Sequence, residues 1–253
     1  MNSQTNRRDF LTLGTLGGLA ATGSALTLSA HALPTPATED THSYVNYLAG
    51  TGKDILPEGK FQPTHPDILG PFWAGHAPFR GKVTPPLAPG QLLVITGRLW
   101  SHKTKQPLPN VVLDIWQADH KGVYDFQNKK RSARRPVLAE ARGFSGGTQP
   151  APADFKNRIR LLTDEAGRYE YETIKPAAYS VGNSTRPSHI HYMAQARGHA
   201  RLITQCYFTG DPHIAKDQWA SKSPLIITLQ KEKCAEGTYL RGRFDLVLAP
   251  AGT

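Results

Sequence analysis

The sequence predicts an all-β protein, an antiparallel β-sandwich with long loops and at most one or two short helices. Seven or eight short runs rich in Val, Ile, Leu, Thr and Tyr are each bounded by turn signals. Glycine (23) and proline (20) are plentiful, which suits a chain that reverses direction often. Only one stretch, 214–221, reads as a plausible helix.

In chain order, residues 92–100 (LLVITGRLW) and 111–118 (VVLDIWQA) are the first two expected strands. Pro107 and Pro109 mark the turn between them. Residues 158–163 and 169–173 flank Asp164-Glu165-Ala166-Gly167, a sequence suited to a hairpin connection. Further strands are expected at 189–196, 202–208, 225–229 and 239–248. Asp67-Ile68-Leu69-Gly70-Pro71-Phe72-Trp73 reads as a turn whose large apolar groups tuck against the body, and residues 78–90, with four prolines, read as a loop. The basic segment 128–157 has no sustained period and reads as a solvated surface excursion leaving Tyr124.

The organisation expected is a leader at 1–32, an extended arm at 33–66 and one sandwich domain at 67–253. Arg7-Arg8 precedes an uncharged Gly-, Ala-, Thr- and Leu-rich segment, 11–28, and then Ala30-His31-Ala32, a small-x-small cleavage pattern. That order is the signature of twin-arginine export, giving a periplasmic or secreted mature chain that starts near Leu33. The segment is too weakly hydrophobic for a membrane span, so no membrane association is expected of the mature form. Formal net charge is +10, but the basic residues are scattered or lie in one loop without aromatic interleaving, so nucleic acid is not an expected partner. Cys206 and Cys234 are read as buried or free thiols, with no zinc-type spacing.

The chemistry concentrates at 175–192. On a strand, His189 and His191 leave the same face, and imidazole is the commonest protein metal ligand. Such a pair alone is more often two ordinary polar-face histidines. Here Tyr179 lies ten residues before His189 and Tyr124 follows a Gly-marked turn, while Arg186 carries a permanent charge three residues before His189. Two phenolates and two imidazoles give two negative charges from hard oxygen donors, a set that suits ferric iron better than zinc. A phenol joins such a site as an anion only beside a strong Lewis acid.

Five stretches together resemble the intradiol ring-cleavage dioxygenases. They are Leu69-Gly70-Pro71-Phe72; Asp114-Ile115-Trp116-Gln117-Ala118-Asp119 with Gly122-Val123-Tyr124; Thr173-Ile174-Lys175-Pro176 with Tyr179; Arg186-Pro187-Ser188-His189-Ile190-His191; and Thr204-Gln205-Cys206-Tyr207-Phe208 with Gly210-Asp211-Pro212. The resemblance implies Fe(3+) as cofactor, with Tyr124, Tyr179, His189 and His191 as ligands and Tyr179 as the one substrate displaces. It implies that Arg186 stands beside the substrate ring and that Gln205 lies near the oxygen-binding side. Catechol and O2 would give a cis,cis-muconate with no nicotinamide or flavin, and the chain has no Gly-rich dinucleotide fingerprint. The short arm before Leu69 favours the protocatechuate-like branch, and a homo-oligomer is a possible state. Two other readings stay open. One is an exported β-sandwich module that binds catechols or carbohydrates without turnover; the other is a copper or zinc hydrolase, which lacks a suitably spaced carboxylate base.

Overall fold

The computed structural model describes residues 61–125, 155–235 and 237–252. The expected leader, nearly all of the arm and most of the basic segment lie outside the described residues. The strands are β1 (Leu92–Ser101), β2 (Val112–Gln117), β3 (Arg158–Leu162), β4 (Arg168–Ile174), β5 (Tyr179–Val181), β6 (Ser184–Arg186), β7 (His189–Gln195), β8 (Leu202–Phe208), β9 (Ile226–Ile227), β10 (Gln230–Cys234), β11 (Gly237–Arg243) and β12 (Leu246–Leu248). One sheet runs β10-β11-β1-β12, with β4 on the other side of β1; the second runs β3-β2-β7-β8-β9. The all-β sandwich is therefore present.

Strand alternation builds the core between the sheets. Leu93, Ile95, Leu99, Tyr169 and Tyr171 of the first sheet meet Leu113, Ile115, Ile190, Tyr192, Cys206 and Phe208 of the second, all buried. Each such aliphatic or aromatic side chain contributes roughly 1.5–3 kcal/mol of burial. Polar groups inside are paired across the gap: Gln117 Nε2 donates to Ile174 O at 2.9 Å, and Thr173 donates to Gln117 Oε1 at 2.8 Å.

The structure departs from the sequence expectations at several places. The turn 164–167 forms, with Gly167 N–H donating to Asp164 O at 2.9 Å, but it is not a hairpin. β3 pairs with β2 while β4 pairs with β1 along seven residues, so the turn carries the chain from one sheet to the other. The run expected at 239–248 is two strands, because Asp245 replaces a ladder bond with its side chain: Oδ1 accepts Arg98 N–H at 2.9 Å. Gly97 lies opposite, where a Cβ would sit 2.1 Å from Phe244 O. Pairing is also not uniformly antiparallel, since β11 and β12 run parallel to β1, and β9 parallel to β8. The expected helix is two 3-10 turns, Ile214–Lys216 and Ala220–Lys222, separated at Asp217, whose backbone is extended. Strands β5, β6 and β10 are additional, and β10 (QKEKC) has no apolar alternation to announce it. Both cysteines are free thiols, Cys206 buried and Cys234 exposed. Among the described residues, no helix is long and apolar enough to cross a membrane.

Candidate metal centre

The central strands of the second sheet, β7 and β8, are buried on both faces. On its outer face, Leu69, Phe72 and Trp73 pack with Trp116, Tyr124 and Met193. The 67–73 turn thus covers the sheet, as its apolar composition predicts. Strand register places Arg158, Trp116, His191 and Gln205 side by side across β3, β2, β7 and β8 on this covered face. His189 is two residues along β7 from His191, opposite Tyr207.

Both histidines aim Nε2 at one point. The two Nε2 atoms are 3.2 Å apart, and Tyr124 Oη lies 3.2 Å from that of His191 and 3.4 Å from that of His189. Tyr179 completes the group: its ring meets that of Tyr124 edge-on, with centroids 5.5 Å apart, and its centroid is 5.6 Å from that of His189. His189 Nδ1–H donates to Pro187 O at 2.6 Å, which leaves Nε2 as a lone pair. His191 is held by stacking on Trp116, with centroids 4.8 Å apart and planes within 5°. Three mutual contacts among two imidazole nitrogens and a phenol exceed the protons available to bridge them. His191 Nδ1 has no hydrogen-bond partner in either tautomer, so only the stacking on Trp116 fixes that ring. A cation at the focus satisfies all these donors at once, so the residues present fit a metal ion. Among the described residues there is no group of three or more His, Cys, Asp and Glu that would offer a carboxylate or thiolate site instead.

The loops bearing the tyrosines are built for close approach. Asp119 Oδ1 accepts the N–H groups of Lys121 and Val123, closing the turn before Tyr124. Gly122 sits at φ +79°, and a Cβ there would lie 2.8 Å from Tyr179 Cβ. β5 and β6 form a hairpin across Gly182-Asn183 that sets Tyr179 opposite Arg186. Gly70, at φ +70°, lies over His191, where a Cβ would be 3.1 Å from Cε1. Phe72 stacks on Tyr124 at 4.3 Å.

Electrostatics leaves every donor neutral in the absence of a cation. Burial, then Arg186, pushes His189 down to about 4; burial and His189 push His191 well below the usual imidazole value. Burial holds the Tyr124 phenol well above its ordinary value, and also raises Tyr179, against the pull of Arg186.

Arg186 and Gln205 lie beside this cluster and bond to each other. Arg186 Nη2 donates to Gln205 Oε1 at 2.9 Å and to Tyr207 Oη at 3.1 Å, while Gln205 Nε2 donates to Ile68 O at 2.8 Å. Asp217 Oδ2 lies 2.7 Å from Arg186 Nε, a close ion pair not aligned as a hydrogen bond, and Trp219 stacks 4.5 Å from the guanidinium carbon. All six residues singled out from the sequence therefore meet. Sequence reasoning gave no role to Trp116, Phe72, Asp217, Trp219 or Tyr207. Strand alternation could have put Trp116 on the face of His191 only once the β2–β7 pairing was known.

The family model described as Dioxygenase matches residues 75–250. The chain belongs to the intradiol ring-cleavage dioxygenase family. The chain is 34% identical, over 63% of its length, to the protocatechuate 3,4-dioxygenase beta chain of Burkholderia cepacia, and covers 65% of that relative. It is 29% identical, over 68% of its length, to an intradiol ring-cleavage dioxygenase of Aspergillus niger, of which it spans 54%. The chain thus spans between about half and two thirds of these curated relatives. The crystal structure of a 3-chlorocatechol 1,2-dioxygenase from Rhodococcus opacus has the same fold, with a TM-score of 0.63 at 24% identity, covering 84% of this chain and 91% of that one.

Proposed function

We propose that the chain is an Fe(III)-dependent intradiol dioxygenase that opens a catechol with O2 to a cis,cis-muconate. The observation that carries this reading is the focus of Nε2 of His189, Nε2 of His191 and Oη of Tyr124, with the Tyr179 phenol beside it. Ferric iron at that focus would supply a Lewis acid that activates a bound diol towards O2. His189 and His191 would hold it through Nε2, and Tyr124, stacked under Phe72, through its phenolate. Tyr179 is less buried than Tyr124, and its Oη would be the base that takes one catechol proton. Arg186 faces Tyr179 across the hairpin and stabilises negative charge on the ring, with Gln205 fixing its Nη2. Both O2 atoms end in the dicarboxylate, so catechol plus O2 balances without an outside reductant.

Export by the twin-arginine route belongs to the same reading. It is supported by the order of Arg7-Arg8, the uncharged segment and Ala30-His31-Ala32. The deciding experiment is O2 uptake by purified, iron-loaded protein with catechol, protocatechuate, hydroxyquinol and pyrogallol, following muconates in the ultraviolet. One muconate per O2 is expected. A protein whose visible absorption shifts with catechols but which consumes no O2 is a binding module instead.

A further inference from the structure

Arg186 carries a permanent charge in a nearly closed setting, with 6% of its side chain exposed and 1% of that of Asp217. Its Nε lies against Asp217 Oδ2, and its Nη2 bonds to Tyr207, whose own phenol donates to Asp67 Oδ2 at 2.9 Å. One carboxylate thus meets the guanidinium directly and a second reaches it through a single phenol. Asp217 is held in place by its other oxygen, which accepts the N–H groups of Trp219 (3.0 Å) and Ala220 (2.7 Å). That same turn lays the Trp219 ring on the guanidinium face. The other buried guanidinium near the cluster, Arg158, is matched by Asp125, with both side chains essentially closed to solvent.

We infer that Asp217 is a specificity-determining positioning residue: with Trp219 it clamps Arg186 and offsets much of its charge, so the site discriminates against a negatively charged ring substituent. The inference rests on the proposed function, since it takes a catechol ring to lie beside Arg186. A free buried guanidinium would act as counter-ion to a ring carboxylate. A guanidinium already paired with Asp217 in a low-dielectric pocket, with Asp67 one phenol further away, repays little of the desolvation such a substituent needs, and Asp217 repels it. Arg186 then meets the ring as an oriented guanidinium whose N–H groups still stabilise charge developing on the ring, while its ion pair with Asp217 leaves little for a second, fixed anion.

The test uses two ring ligands of the same shape and different charge, protocatechuate and 3,4-dihydroxybenzamide. Their dissociation constants for iron-loaded protein are read by anaerobic titration of the visible band. Wild type is expected to bind the amide at least tenfold more tightly than the acid. Asp217→Asn keeps an oxygen for the Trp219 and Ala220 N–H groups and removes the charge, and should shrink that ratio at least tenfold. Asp217→Glu keeps the charge and should keep the preference for the amide, even if both ligands bind more weakly. A turn with a merely structural role would weaken both ligands alike. Equal binding of acid and amide by wild type overturns the inference before any variant is made, whether or not Asp217→Asn folds. An unchanged ratio in folded Asp217→Asn overturns it as well. Discrimination between the two ligands without O2 uptake supports the inference and counts against the dioxygenase reading alone.

Discussion

The outer faces of the two sheets use the same kinds of residue to opposite ends. On the first sheet, Glu170, Glu172, Arg241 and Arg243 stand outward, and Arg241 reaches Glu170 at 3.4 Å and Glu232 at 3.6 Å while half exposed. On the second, the covering turn closes the face, and Arg158–Asp125 and Arg186–Asp217 are sealed. An exposed pair gains little because water screens it and long side chains lose freedom. A sealed pair has lost its hydration, so neither member tolerates loss of the other. One face can vary without consequence, whereas the other fixes two guanidinium groups beside a cluster of neutral donors.

The strongest way to break this contrast is Arg158→Ala. It leaves Asp125, next in sequence to Tyr124, buried without its bidentate partner. A loss of about 3–5 kcal/mol in unfolding free energy is expected, from urea denaturation at constant ionic strength. A change under 1 kcal/mol would show that the sealed pair behaves like the exposed ones.

The neutral donors give the next largest effect. His189 titrates near 4 in the folded protein, against about 6.5 when unfolded, so between those values the unfolded chain binds the extra proton. The metal-free protein should therefore lose about 3 kcal/mol from His189 alone as pH falls from 6.5 to 4. His191, shifted the same way, adds to the loss. Thermal melts of metal-free wild type and His189→Gln across this range measure it: the variant's curve should be the flatter. Parallel curves would mean that the imidazole is not sealed from solvent.

How much of this was legible in the sequence follows from the range of the interactions involved. Alternation along 189–195 and 202–208 is local, so the strands and the shared face of His189 and His191 could be read directly. That Tyr124, Tyr179, Arg186 and Gln205 share one site came from the family resemblance, whose motifs carry all four. Sheet membership is decided by partners far away in the chain: 164–167 looks like a hairpin because nothing local says that β4 prefers β1 to β3. The clamp on Arg186 was hidden for the same reason. Asp217 and Trp219 sit in a run that reads as a weak helix, and only the tertiary fold lays them on a guanidinium thirty residues upstream.

Gly70→Ala probes the seal itself. Its φ of +70° costs an alanine about 1–2 kcal/mol, and the added methyl would stand 3.1 Å from His191 Cε1. The melting temperature should fall by several degrees. Under the proposed reading, iron retention against a chelator should fall more steeply than that loss alone accounts for, because the methyl tilts a ligand. Iron retention falling only in proportion to stability would detach the turn from the metal centre.

Arg241→Ala completes the series at the open face. Both of its carboxylate partners lie beyond 3.3 Å and all three side chains are a third or more exposed, so the pair energies are near the bottom of the surface range. The expected change in unfolding free energy is within about 0.5 kcal/mol, with O2 uptake unaltered. The variant is more than a negative control. β11 pairs with β1 at the register Val94↔Arg241, and β1 packs its inner face against the core that supports β7. If removing an outward charge on β11 slowed turnover, the two faces would be coupled through the sandwich, and the insulation of the sealed face from the open one would fail. Unaltered turnover at unaltered stability is what an outer surface electrically and mechanically remote from the site requires.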